Sequence, residues 1–201
     1  MPKGRLIVFS APSGCGKGTM LAEILKDERF YCSVSATTRK PREGEKDGVN
    51  YYFLDKEDFL RRIEEEKFLE YACYCDNYYG TLISEVDDNL EKGINVILEI
   101  EVQGAMKIRE KRPDALFIFI APPSIGELDR RLHKRGTESD EVINKRVSEA
   151  AGEISKACNY DYIIVNDRLE DAVDDFFTVI NAETHKSEYS HELIENILNT
   201  K

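Results

Sequence analysis

Lys17 lies in the stretch Ala11-Pro12-Ser13-Gly14-Cys15-Gly16-Lys17-Gly18-Thr19, which follows the apolar run Leu6–Phe9 and precedes a helical segment from Met20 to Lys26. A strand, a glycine-rich turn and a helix start aim backbone N–H groups at one point, where the helix dipole adds positive potential. Gly14, Gly16 and Gly18 are expected to allow close backbone approach and backbone angles that side chains resist. Lys17 supplies a mobile ammonium for terminal phosphates. Against G-x-x-x-x-G-K-[ST], Ala11 replaces the first glycine and Gly18 stands at the hydroxyl position, the hydroxyl coming next at Thr19. The segment reads as a cradle for a nucleotide polyphosphate, with Thr19 the hydroxyl facing a bound Mg²⁺.

A second concentration of chemistry begins at Ser33 and runs to Glu45. Arg39 and Arg42 are planar, multidentate donors suited to clamping a phosphate monoester. Glu43, Glu45 and Asp47 nearly balance the neighbouring cations, so composition alone describes a solvated loop. Hydroxyl groups and tyrosines nearby, together with the phosphate loop, favour the clamp.

The elements needed to position these groups are legible as apolar runs. Leu6–Ser10, Ile94–Ile100, Leu116–Ile120 and Tyr162–Val165 read as parallel strands covered on both faces. Helical patterns fall near 19–27, 84–92, 103–111, 124–134, 139–157 and 169–186, and Ser124 with Glu127 fits a capping box. Strands alternating with helices imply an α/β fold with a doubly wound parallel sheet. Residues 36–81 and the arginine-rich 130–157 break the rhythm and read as excursions from a core of 1–35, 82–129 and 158–201, within one domain.

Composition narrows the class. Hydrophobic content of 41% and charged content of 33% suit a soluble globular protein, and the net charge of −11 argues against nucleic acid or a membrane surface as partner. The five cysteines contain no C-x-x-C pair, which suits reduced thiols in a cytoplasm. The longest apolar run, 115–121, is too short to span a bilayer.

Ser35-Ala36-Thr37-Thr38-Arg39-x-Pro41-Arg42-x-Gly44-Glu45, then Gly48-x-Asn50-Tyr51-x-Phe53, resembles the monophosphate-binding signature of the guanylate kinase family. Phe68-Leu69-Glu70, Asn77-Tyr78-Tyr79-Gly80-Thr81, the run from Leu98 to Gly104, Arg135-Gly136-Thr137-Glu138 and Ile164-Val165-Asn166-Asp167 extend the resemblance from about Arg5 to Phe177. It implies a P-loop nucleoside monophosphate kinase core with a monophosphate-binding excursion (36–81) and a lid (130–157), transferring the γ-phosphoryl group of ATP to GMP, and to dGMP. By resemblance, Arg39, Arg42, Tyr51 and Tyr79 hold the GMP phosphate, and Ser35, Glu70, Thr81 and Glu101 recognise guanine. Glu99 is assigned to the surroundings of Mg²⁺, partly through water, alongside Thr19; Arg135 and Arg146 close on the ATP phosphates; Asn166 lies beside adenine. Two other classes stay open: a kinase of another monophosphate such as AMP, and a partner-binding module that has lost catalysis. The intact Gly16 and Lys17 argue against the module, and no obligatory protein partner is evident.

Overall fold

The computed structural model describes residues 3–136, 139–187 and 191–200. Its centre is a five-stranded parallel sheet built from β1 (Leu6–Ser10), β2 (Phe30–Cys32), β7 (Asn95–Glu99), β8 (Leu116–Ala121) and β9 (Tyr162–Val165), in the order β2-β7-β1-β8-β9. The apolar runs are continuous because both faces are covered. Val8, Leu98, Phe117 and Phe119 pack on one face against α3 (Ile83–Glu91) and α4 (Val102–Lys111) through Val86, Leu90, Ala105 and Ile108. Ile7, Phe9, Ile97 and Ile118 pack on the other against α1 (Lys17–Ile24) and α7 (Leu169–Thr184) through Met20, Ile24 and Phe176. The short β2 carried no separate signal in the sequence; it pairs with β7 through Phe30↔Asn95 and Cys32↔Ile97.

Residues 36–82 form a separate four-stranded sheet, β4-β3-β6-β5, from β3 (Ala36–Thr37), β4 (Tyr52–Phe53), β5 (Phe68–Tyr74) and β6 (Asn77–Leu82). It has its own small core, Ala36, Phe59, Phe68 and Leu82, to which α2 (Lys56–Glu64) contributes Phe59 stacked on Phe68 at 4.3 Å. The second excursion is helical: α5 (Ile125–Arg135) and α6 (Asp140–Ile154) enclose Cys15 with Leu128, Leu132, Ile143 and Ala150. The expected capping box forms by half. Ser124 Oγ accepts from the Glu127 N–H at 3.1 Å, while the Glu127 carboxylate turns to Arg130 and Arg131. A one-turn 3-10 segment (Ala157–Asn159) leads into β9, and α8 (His191–Asn199) is the last described helix, with Ile197 and Leu198 exposed. No helix among the described residues is long and apolar enough to cross a membrane.

At the amino end of the central sheet, the Glu183 carboxylate is 2% exposed and accepts from Arg5 Nη1 at 2.7 Å and the Tyr162 hydroxyl at 2.7 Å, with Lys186 Nζ at 2.8 Å. Burial pushes its pKa up, but Lys186, Tyr162 and Arg5 outweigh burial and hold it below the ordinary 4.5. The stability it contributes is therefore present above that value and is lost as pH falls through the lower folded-state pKa. Glu183→Ala is expected to cost about 3–5 kcal/mol, as for one side of a buried ion pair. Urea denaturation at neutral pH measures this loss, which should shrink on acidification while activity per folded molecule is unchanged.

Candidate active site

The strands adjacent at the sheet centre send their helices to opposite faces, β1 to α1 and β7 to α4. This divergence opens a crevice at the carboxyl ends of the strands, where ligands of open α/β sheets sit. The turn after β1 fills it. Gly14 (φ 96°) and Gly16 (φ 79°) have left-handed backbone angles, and a Cβ at Gly14 would press to 2.9 Å from Leu128 and Leu132. Gly18 departs from expectation: it lies inside α1 with no positive φ and open space where a Cβ would go, so its backbone needs no glycine.

Lys17, the first residue of α1, reaches to 3.6 Å from the Glu99 carboxylate at the end of β7. Thr19 is exposed in the first turn of the same helix. Cavities of about 730 Å³ and 1200 Å³ adjoin the turn. Gly14, Thr19, Arg131 and Asn166 line the smaller. Lys17, Tyr74, Glu101, Gln103 and Arg146 line the larger, together with Ala11, Pro12 and Ser13. Glu101 is the exposed N-cap position of α4 rather than a continuation of β7. Arg146 on α6 already donates to Ser13 Oγ at 3.3 Å, bringing the second excursion onto the phosphate loop. The side chain of Arg135, like Thr137 and Glu138, lies outside the described residues.

Asn166, expected beside the nucleotide, also shapes the loop. Its buried side-chain amide donates to the Cys15 carbonyl at 2.7 Å, and a Cβ at Gly16 would lie 2.8 Å from that nitrogen. Arg131 in turn donates to the Asn166 carbonyl at 2.8 Å and to Glu127 at 2.7 Å, fastening α5 to this segment. The i,i+4 spacing of Glu127 and Arg131 is the sequence signal for this contact.

The second sheet assembles the other group. Thr37 pairs with Tyr79 across β3 and β6, Thr37 Oγ1 donates to the Tyr78 carbonyl at 2.9 Å, and Thr38 Oγ1 accepts from the Tyr78 N–H at 2.9 Å. These bonds fix the strand end that launches Arg39. Its guanidinium lies 5.4 Å from the Tyr51 ring centroid and 2.8 Å from Glu45, and the Tyr51 and Tyr79 rings meet edge-on at 6.0 Å. Glu45 also accepts from the Arg42 N–H at 2.7 Å. Arg39 and that N–H hold the Glu45 carboxyl below its ordinary pKa. Glu45 therefore orients Arg39 and the backbone of Arg42, a role hidden in the sequence by apparent charge balance.

Glu70 sits beside a register shift in β5, with Thr81 directly across on β6 donating to it at 2.9 Å. Burial raises the Glu70 pKa; the Thr81 hydroxyl and the charges of Lys107 and Lys111 only partly offset this. A carboxylate desolvated without a close cation is poised to accept hydrogen bonds from a ligand. Ser35 is half-buried where the chain enters this sheet, its carbonyl accepting from the Tyr52 N–H at 2.9 Å.

A lysine-bearing phosphate loop in the central crevice, facing a separate sheet with a guanidinium–tyrosine cluster, is the P-loop nucleoside monophosphate kinase fold. The guanylate kinase family model matches residues 3–183. A guanylate kinase of Latilactobacillus sakei is 53% identical over 183 residues, covering 90% of each chain. One from Halalkalibacterium halodurans is 50% identical over 198 residues, covering 96% of this chain and 97% of its own. A solved guanylate kinase structure from Anaplasma phagocytophilum superposes with a TM-score of 0.74 at 37% identity, covering 100% and 98% of the two chains. The chain belongs to the guanylate kinase family.

Proposed function

We propose that this protein transfers the γ-phosphoryl group of ATP to GMP, giving ADP and GDP in purine nucleotide metabolism, with dGMP as a second acceptor. The observation that carries the reading is the pairing of the half-buried Glu70 carboxylate, its pKa raised by burial, with the Thr81 hydroxyl at 2.9 Å. Guanine presents N1–H and N2–H donors beside its O6 acceptor, which a carboxylate and a hydroxyl complement. Adenine places a lone pair at N1, which a carboxylate repels.

In this reading Ala11–Thr19 and Asn166 bind ATP; Arg39, Arg42, Tyr51 and Tyr79 hold the acceptor phosphate; Ser35, Glu70, Thr81 and Glu101 read the base. An oxygen of the GMP phosphate forms the new bond to the γ-phosphorus as the bond to the ADP β-oxygen breaks. That oxygen is already ionised at neutral pH, so no general base is required. Positioning and neutralisation carry the rate. Lys17 follows the charge moving from the γ- to the β-phosphate, Arg39 and Arg42 keep the acceptor in line, and Arg135 and Arg146 bear on the migrating group from the lid.

The donor set near the loop suits a hard divalent cation: the exposed Thr19 hydroxyl and the Glu99 carboxylate offer oxygen only. Mg²⁺ bound there supplies charge neutralisation at the β- and γ-phosphates. Five free cysteines suit a reducing cytoplasm.

A coupled ADP-release assay with GMP, dGMP, AMP, UMP and no acceptor tests the assignment. GMP turnover well above the others is expected, whereas AMP turnover exceeding that of GMP refutes it. Arg42→Ala should raise the KM for GMP about tenfold or more, the loss of a charge-assisted phosphate contact, with the KM for ATP nearly unchanged.

A further inference from the structure

The acceptor-side sheet joins the core by two routes. β5 lies on α4, where Leu69 enters the main core and Lys111 Nζ donates to the Phe68 carbonyl at 3.0 Å. The other route is the linker Ser33–Ser35 between β2 and β3, opposite the return of the chain from β6 into α3. Behind this second junction the packing is open: a cavity of about 390 Å³ is lined by Tyr52 and Leu54, by Glu85 and Asp88 on α3, and by Lys92 just beyond that helix. Apolar contact therefore does little to set the linker.

One side chain does set it. Glu85, in the first turn of α3, accepts from the Ser33 hydroxyl through Oε2 at 2.5 Å and from the Val34 N–H through Oε1 at 3.2 Å. Each carboxylate oxygen thus accepts from one of two consecutive linker residues, immediately before Ser35. The Ser33 N–H donates to the Ile97 carbonyl at 2.9 Å, so the linker is fixed to β7 on one side and to α3 on the other. Burial, the hydrogen bond that the Tyr31 hydroxyl donates to Glu85, and the negative charge of that carboxylate hold the phenol far above its ordinary pKa, so it faces Glu85 as a neutral hydroxyl.

We infer that Glu85 is a positioning residue for the acceptor nucleotide: it clamps the Ser33–Val34 linker and so sets where Ser35 and strand β3, with Arg39 beyond it, meet GMP. Glu85 itself touches no substrate. The inference rests on the assignment of the second sheet to GMP.

Steady-state kinetics of the full-length protein test it with Glu85→Gln and Ser33→Ala. Each removes or weakens a charge-assisted hydrogen bond, and each is expected to raise the KM for GMP about tenfold, with the KM for ATP within about twofold and little change in Tm. The double variant should be much less than multiplicatively worse, because the two changes share the Ser33–Glu85 contact. Glu85→Asp, keeping charge but shortening reach, should recover only part of the GMP affinity. Unchanged GMP kinetics in both single variants, equal effects on GMP and ATP, or independent effects of the two substitutions each overturn the inference. If the wild-type protein does not use GMP, the functional reading fails instead.

Discussion

Lys17→Met is expected to lower kcat with GMP by about 10³-fold, the size of removing one preorganised group that stabilises charge developing in a transition state. Methionine keeps most of the stem and loses only the ammonium. That ammonium lies 3.6 Å from Glu99 and belongs to no core cluster. Glu99 is 39% exposed, so water replaces its lost partner at small cost, and Tm should hardly move. GMP binding, read by calorimetry, should also persist, because Tyr79 lies on the second sheet and Arg39 and Tyr51 lie beside its strands. A variant with normal Tm, normal GMP affinity and collapsed turnover separates a donor-side role in chemistry from a general role in binding. Turnover within tenfold of wild type removes Lys17 from the phosphoryl-transfer step.

Much of this arrangement was legible in the sequence, and the exceptions share causes. β1, β7, β8 and β9 were readable because a parallel strand covered on both faces needs an unbroken apolar run. β2 escaped because three residues, Phe30–Cys32, make no pattern; its strand identity comes from Asn95–Ile97 alongside. The second sheet escaped for a related reason. β3 and β4 contribute two residues each, and β5 is exposed from Tyr71 onward. Its hairpin turns through Cys75 (φ 47°) and Asp76 (φ 61°) rather than an Asn-Gly pair. The residues proposed to meet the nucleotides, such as Lys17, Arg39 and Glu70, stood out by type, spacing or family resemblance. Glu45, Glu85 and Arg131 were not found, because each acts on another protein group. An acidic residue six positions after Arg39, or 52 after Ser33, looks like solvated charge until the fold brings the partners together.

Glu70→Gln is expected to lower kcat/KM for GMP by about 10³-fold and to collapse the preference for GMP over AMP. Two guanine donors would meet an amide offering one acceptor and one misplaced donor, and a buried polar group left wrongly paired is costly. The same substitution should stabilise the nucleotide-free protein at neutral pH. In an unfolded chain this carboxyl titrates near 4.5; in the folded protein burial moves it upward. Across that interval the folded form holds a proton that the unfolded form has released, so stability falls as pH rises through it and remains lowered above it. A neutral amide carries no such penalty and can still accept from Thr81, now 2.9 Å from the carboxylate. Thermal melts should therefore show Glu70→Gln above wild type at neutral pH, with the gap closing below the ordinary glutamate range. Higher stability together with lost guanine discrimination is the signature of a carboxylate kept desolvated for its ligand. A variant that melts lower at neutral pH and retains the GMP preference would mean that Glu70 serves the sheet and not the base.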